Sequence, residues 1–257
     1  MKIEHYTPSA YLKPFIKTFI FIESEDEIEN FVLPDACMVM AFRYSGEVAI
    51  KENSTVNTLP PVVLSGIRHT PRYIHYSKQA ANLLVVFQPN GASVFFNEPL
   101  HELLGISVQA SFLKGYITID EVLERLAAID SKKGKIDYLE EVLYSKLATH
   151  KPDILLEAAI RKIQLAKGTS TIKQLIGELA ISRDAFEKRF RKNVGTSPKH
   201  FSSIIKLKNA INIHSPNKTL TETAFEAGYY DQAHFIRDFK TYTGKTPSLF
   251  FGNPLYW

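Results

Sequence analysis

The sequence predicts an α+β protein in two parts, a strand-rich N-terminal domain of the barrel or sandwich kind with trailing helices, and an all-helical C-terminal domain. Three observations carry this. Short apolar runs separated by turn residues fill positions 18–88, helical apolar spacing replaces them afterwards, and 153–257 holds one pattern twice. The two domains are expected at 1–150 and 153–257, with the boundary at His150-Lys151-Pro152.

Runs at 19–22, 31–33, 38–42, 48–50, 62–64, 73–76 and 83–87 read as strands, with turns at Tyr44-Ser45-Gly46, Pro60-Pro61 and Ser65-Gly66. After Pro89-Asn90-Gly91 the segments 92–96, 98–104, 119–129 and 136–147 read as helices. The stripes Val122, Leu123, Leu126, Ile129 and Ile136, Leu139, Val142, Leu143, Leu147 are expected to pack within their own domain, with dimerisation as the alternative. The acidic run from Glu23 to Glu29 reads as a solvated hairpin loop, and Cys37, inside an apolar run, as a small buried hydrophobe.

Beyond Pro152 every signal is helical. Asp153 caps a helix to 167, Thr171 one to 179, and Ser182 one to 193 that ends at Gly195. Ser197-Pro198 opens a long helix to about 213, since proline fits the first helical turn. Thr219 or Thr221 starts a short helix ending at Gly228, Asp231 caps one through 242, and Thr246-Pro247 opens a last turn.

Composition narrows the class. With 257 residues, 45% hydrophobic and 23% charged, the chain is globular rather than disordered. One cysteine allows neither an intramolecular disulfide nor a cysteine zinc cluster. No apolar run reaches the roughly 18 residues of a membrane span, and the N-terminus lacks a signal-peptide core, so a cytoplasmic protein is expected. The net charge of +4 divides unevenly: residues 1–150 hold 14 basic and 18 acidic groups, leaving 17 and 9 for the remainder, a balance of −4 against +8. A basic module for a polyanion joined to an acidic module with another task fits that split.

The repeat says where the charge is aimed. Phe186, Phe190, Arg191, Gly195, Ser197, Pro198 and Phe201 recur 49 residues later as Phe235, Phe239, Lys240, Gly244, Thr246, Pro247 and Phe250. Each copy follows a short amphipathic helix and a tight turn, which is the helix-turn-helix arrangement. In the first copy the phenylalanines share one helical face while Arg183, Asp184, Glu187, Lys188 and Arg191 take another. In the second, Gln232, Ala233, Ile236, Arg237 and Lys240 are outward. Arginine pairs with guanine, glutamine with adenine, and small or branched apolar side chains pack on the thymine methyl. Two such helices would enter major-groove segments roughly 34 Å apart.

At 224–247 the sequence resembles the second helix-turn-helix signature of the AraC/XylS transcription regulators, with a looser fit over 172–201. The resemblance implies base-reading positions at Arg183, Asp184, Glu187 and Lys188 and at Gln232, Ala233, His234, Ile236 and Arg237. Phosphate contacts are expected from Arg191, Lys192, Lys199, Lys240 and Lys245. Ile176 and Ala180 depart from the family's usual alanine and glycine, which implies a repacked first turn. Double-stranded DNA is the implied partner, with RNA polymerase contact and homodimerisation as further expectations.

The same resemblance implies a cupin-like β-barrel at the N-terminus that senses a small molecule or dimerises. Polar candidates for an acidic or hydroxylated effector are Arg68, His69, Arg72, His75 and Tyr76, with Arg43 and Tyr44 more distant; surface or strand-edge residues are the plainer reading of the set. No metal or cofactor is expected, because His69 and His75 lack the spacing of a metal-binding set and no nucleotide or nucleophile fingerprint occurs. The leading expectation is an effector-responsive, sequence-specific regulator that performs no chemistry. The alternatives are a non-specific architectural DNA binder and a small-molecule enzyme with a regulatory helical domain.

Overall fold

The computed structural model describes residues 1–52, 55–96, 98–110, 118–147, 153–177, 179 and 181–253. Ten strands come first: β1 (Lys2–Tyr6), β2 (Ile16–Glu23), β3 (Ile28–Val32), β4 (Val39–Ser45), β5 (Val48–Glu52), β6 (Thr55–Thr58), β7 (Val62–Ser65), β8 (Arg72–Tyr76), β9 (Ala81–Phe87) and β10 (Ser107–Gln109). They form a six-stranded sheet, β1-β2-β9-β4-β7-β10, and a four-stranded sheet, β3-β8-β5-β6, antiparallel throughout. The two sheets face each other without closing, an open arrangement compatible with the cupin-like expectation.

Period-two alternation gives the larger sheet two apolar faces. Phe19, Phe21, Met40, Phe42, Leu83, Val85 and Phe87 point into the main core, where α1 (Ile119–Ala128) and α2 (Lys132–Tyr144) supply Val122, Leu126, Leu139 and Leu143. The helical stripes therefore pack on their own domain, as expected. A capping box between Thr118 and Glu121 starts α1. Lys132 ties α2 to β1 and β2 through Glu4 at 2.9 Å and Glu23 at 2.7 Å.

Several local expectations are corrected. β1, β6 and β10 carry no apolar alternation to read and lie at sheet edges, where backbone pairing rather than burial holds them. Segments 92–96 and 98–104 are short 3-10 turns at Gly91–Val94 and Leu100–Leu103. The acidic run is not a hairpin: β2 and β3 belong to different sheets, so the segment crosses between layers, and Glu29 lies 2.5 Å from Lys51 of β5. The expected boundary at 150–152 and the departure at Ala180 lie outside the described residues.

The C-terminal part contains α3 (Ile154–Leu165), α4 (Ile172–Gly177), α5 (Arg183–Val194), α6 (Pro198–Ile213), α7 (Leu220–Glu226), α8 (Gln232–Thr243) and α9 (Pro247–Phe251). Thr219, not Thr221, caps α7, and it does so with Glu222 in a capping box. The long α6 packs against α3, α5, α7 and α8. It also meets the β-domain, where the imidazoles of His69 and His200 stack and Lys208 reaches Asp35, while the 3-10 turns rest on α5.

Candidate nucleic-acid interface and N-terminal cavity

The two helix-turn-helix copies are built alike, from caps to core. Ser182 accepts from the amide of Ala185 and Asp231 from that of His234, fixing the starts of α5 and α8. Gly195 and Gly244 end them in the left-handed conformation, at φ of 90° and 69°, where a side chain would be strained. Ser197-Pro198 and Thr246-Pro247 then start α6 and α9 with matching caps. Phe186 and Phe190 meet edge to face at 5.6 Å, Phe235 and Phe239 at 5.4 Å; Phe190–Phe201 and Phe239–Phe250 follow at 5.6 and 5.2 Å. All six rings are fully buried.

This packing turns the opposite faces of α5 and α8 outward. Arg183, Asp184, Lys188, Ala233 and Arg237 are exposed, while Glu187, Gln232, His234 and Ile236 are half-buried at the edge of the same faces. Arg183 Nε donates to Glu187 Oε1 at 3.0 Å, and Arg191 lies 4.0 Å from the other carboxylate oxygen. Glu187 thus neutralises part of the cationic surface of α5. On α8, Thr221 Oγ1 donates to Gln232 Oε1 at 3.2 Å, which leaves the amide nitrogen of Gln232 its donor role, and His234 lies 3.4 Å from Asp238. Arg191, Lys192, Lys199 and Lys240 are exposed near the helix ends. Lys245 is half-buried instead, its ammonium over the Phe31 ring of β3 at 5.7 Å, so it belongs to the seam with the β-domain. Sequence reasoning passed over Tyr230, which stands 87% exposed in the turn before α8.

At the seam, Lys208 Nζ lies 2.8 Å from Asp35 Oδ1. Burial opposes ionisation of Asp35, but the charge and hydrogen bond of Lys208, with Lys17 behind them, outweigh it and hold the carboxyl below its usual range. His200 Nδ1 lies 2.6 Å from Thr196 Oγ1, and its ring is held between His69 and Tyr242. Burial, with the neighbouring His69, brings the His200 pKa down to about 3.

Between the two sheets lies a cavity of about 540 Å³, lined mostly by aliphatic side chains of β2, β4, β5, β8 and β9. Of the effector candidates, Arg68, Arg72 and Tyr76 line it. His69 does not, being stacked on His200. Alternation along β8 sends Arg72 and Tyr76 inward and His75 to the other face, 3.6 Å from Glu27. Arg72 donates to Ser107 Oγ at 2.8 Å and to the Gly105 carbonyl, and Arg68 donates to the Leu33 carbonyl at 3.4 Å. Arg43 lines the cavity; Tyr44 lies outside it, with Lys135 over its ring. Asn82 was missed by sequence reasoning, although it is the one polar residue among the inward positions 82, 84 and 86 of β9. Cys37 is buried at the cavity wall, and burial together with Asp35 pushes its thiol up to about 12.

Two separate stretches of the chain match family models. Residues 175–253 match a family model described as a helix-turn-helix domain, and residues 4–109 match a domain of unknown function (DUF6597). An uncharacterized HTH-type transcriptional regulator of Haemophilus influenzae is 30% identical over 94 residues, 36% of this chain. The chain spans about a third of that relative, 32% of its length. Among solved structures, ToxT from Vibrio cholerae aligns over 98% of both chains at 12% identity and a TM-score of 0.46. A fatty-acid-bound form of ToxT aligns over 97% of this chain and 96% of its own at 14% identity and a TM-score of 0.44. The AraC-like transcriptional activator CuxR aligns over 88% of this chain and 90% of its own, at 12% identity and a TM-score of 0.31. The duplicated caps, the paired phenylalanines and the matched family model agree that the C-terminal part of this chain carries a helix-turn-helix domain.

Proposed function

We propose that the protein is a sequence-specific DNA-binding transcription regulator whose N-terminal domain responds to a small-molecule effector. The observation that carries this reading is the pairing of α5 and α8. Each is rigidly capped, anchored by its own equivalent trio of buried phenylalanines, and presents arginine and other polar side chains on its free face. Rigid placement of a helix is what base reading in the major groove requires. The roles are Arg183, Asp184, Glu187 and Lys188 on α5, and Gln232, Ala233, His234, Ile236 and Arg237 on α8, at the base edges. Arg191, Lys192, Lys199 and Lys240 sit at the phosphates, and Lys245 joins them only when its contact with Phe31 opens. The same reading places the protein in the cytoplasm, acting on the DNA without chemistry of its own, and includes homodimerisation and contact with RNA polymerase.

Selection of bound duplexes from a random library by the full chain tests it. Enrichment of a defined sequence is the expected result. Tight but sequence-blind binding would instead identify an architectural DNA binder, and absence of binding at low salt would remove the proposal.

A further inference from the structure

The cavity between the sheets has two unlike ends. In the strand register Arg43 of β4 stands directly opposite Asn82 of β9, which in turn stands opposite Ile22 of β2. Four residues further along β9, Val86 stands opposite Val39 and Thr18. At about 3.3 Å per residue the ends are about 13 Å apart. Lys17 and Asp35 lie at the Val86 end, where the carboxylate of Asp35 is already answered by Lys208. Between the ends the wall is apolar, with Ile20, Ala41 and Leu84.

At the other end two hydrogen-bond donors lack a partner. Asn82 is 3% exposed, and its Nδ2, like Arg43 Nη1, is buried without an acceptor. Opposed residues on one face of an antiparallel pair hold their Cβ atoms about 5 Å apart, so the two side chains enter the cavity side by side. An unmet buried donor is costly, more so on a cation, and such groups in a native protein call for an explanation. Among the described lining residues Asp35 is the one carboxylate, against Lys17, Arg43, Arg68 and Arg72. The missing partner is therefore an acceptor, and the charge of Arg43, with the one described lining carboxylate at the far end, favours an anion.

We infer that the cavity binds an apolar monocarboxylic acid, with its carboxylate held by Arg43 and Asn82 and its hydrocarbon body lying along β2, β4 and β9 toward the seam. Arg43 supplies charge and one N–H, Asn82 a second N–H, and the aliphatic wall removes the body from water. This rests on the reading of the N-terminal domain as the effector domain, and its test needs no DNA, so either proposal can fail alone. A ligand filling the length of the cavity would end beside Asp35 and Lys208, the contact that joins the β-domain to α6.

The experiment is calorimetric titration of the full chain with decanoate, decan-1-ol and decyltrimethylammonium, below their micelle concentrations. Saturable one-to-one binding of decanoate, at least about tenfold tighter than the alcohol, is expected from a hydrogen-bonded charge, with no binding of the cation. Arg43→Met and Asn82→Leu should each weaken decanoate by about tenfold or more, while Lys208→Ala leaves it unchanged. Asn82→Leu should also raise the melting temperature of the ligand-free protein, because it removes an unmet donor. Equal affinity for acid and alcohol, binding lost in Lys208→Ala rather than Arg43→Met, or no saturable binding of the acid would each overturn the inference. The head-group comparison uses the unaltered protein and stands even if a variant fails to fold.

Discussion

The imidazoles of His69 and His200 lie parallel, 7° apart in plane, with centroids separated by 3.5 Å. One ring comes from the segment between β7 and β8, the other from the first turn of α6, and Tyr242 of α8 continues the stack at 5.6 Å from His200. A neutral imidazole suits this place. Protonation would set a buried charge against a second histidine, with Thr196 as the hydrogen-bonding neighbour.

Stability should therefore fall with acidity. His200 titrates near 6.5 when unfolded but at about 3 in the fold, so between those values the unfolded chain binds the extra proton and the native state loses ground as pH drops. The ceiling for one proton is about 1.4 kcal/mol per pH unit. Melts between pH 7 and 4 should show a steeper decline for the unaltered protein than for His200→Phe, which keeps a stacking ring without a titrating group. Parallel declines would remove the assignment.

The Asp35–Lys208 pair is a weaker tie, because both side chains are more than a third exposed. Solvent screening limits such a pair to less than about 1 kcal/mol. Since the carboxyl of Asp35 is held below its usual range, that contribution is full above about pH 4 and is lost as pH falls through the lowered pKa. A double-mutant cycle with Asp35→Asn and Lys208→Met, read by urea unfolding at pH 7 and pH 3, should find a smaller coupling at the second pH than at the first; equal coupling at both would contradict the assignment.

Phe186 and Phe235 occupy equivalent, fully buried positions. Truncating either to alanine should cost about 3–5 kcal/mol, since each removes a ring and leaves a cavity. Denaturant melts should give similar losses for the two variants. A large loss at one and tolerance at the other would show that the copies are alike in outline but not in packing.

Arg237→Ala should cost roughly 1–3 kcal/mol on the selected DNA site and relax preference at one base pair. Lys240→Ala should weaken all sequences alike and lower the salt slope by about 1. Titrations at several salt concentrations separate the two behaviours; identical slopes for Lys240→Ala and the unaltered protein would exclude a phosphate contact there.

Most of the C-terminal domain is legible in the sequence because its signals are local. Ser182, Asp231 and the Thr246-Pro247 pair mark helix starts within one turn, and Gly195 and Gly244 mark their ends. The β-domain is only partly so. Strand existence follows from apolar runs, but β1, β6 and β10 are set by pairing at sheet edges rather than by their own residues. His75 and Tyr76 are neighbours along the chain, whereas strand alternation places them on opposite faces. The anchor at Arg43 and Asn82 joins residues far apart in sequence and exists only through the β4–β9 register. The stack of His69 on His200 depends likewise on how the two domains meet.

The central claim, that α5 and α8 read successive faces of one duplex, is tested most directly by the length and layout of the site selected from random DNA. Two conserved blocks are expected with centres one helical turn apart, about 10–10.5 base pairs, the block contacted by α8 weakening in Arg237→Ala. A single block, or two blocks at unrelated spacing, would contradict it.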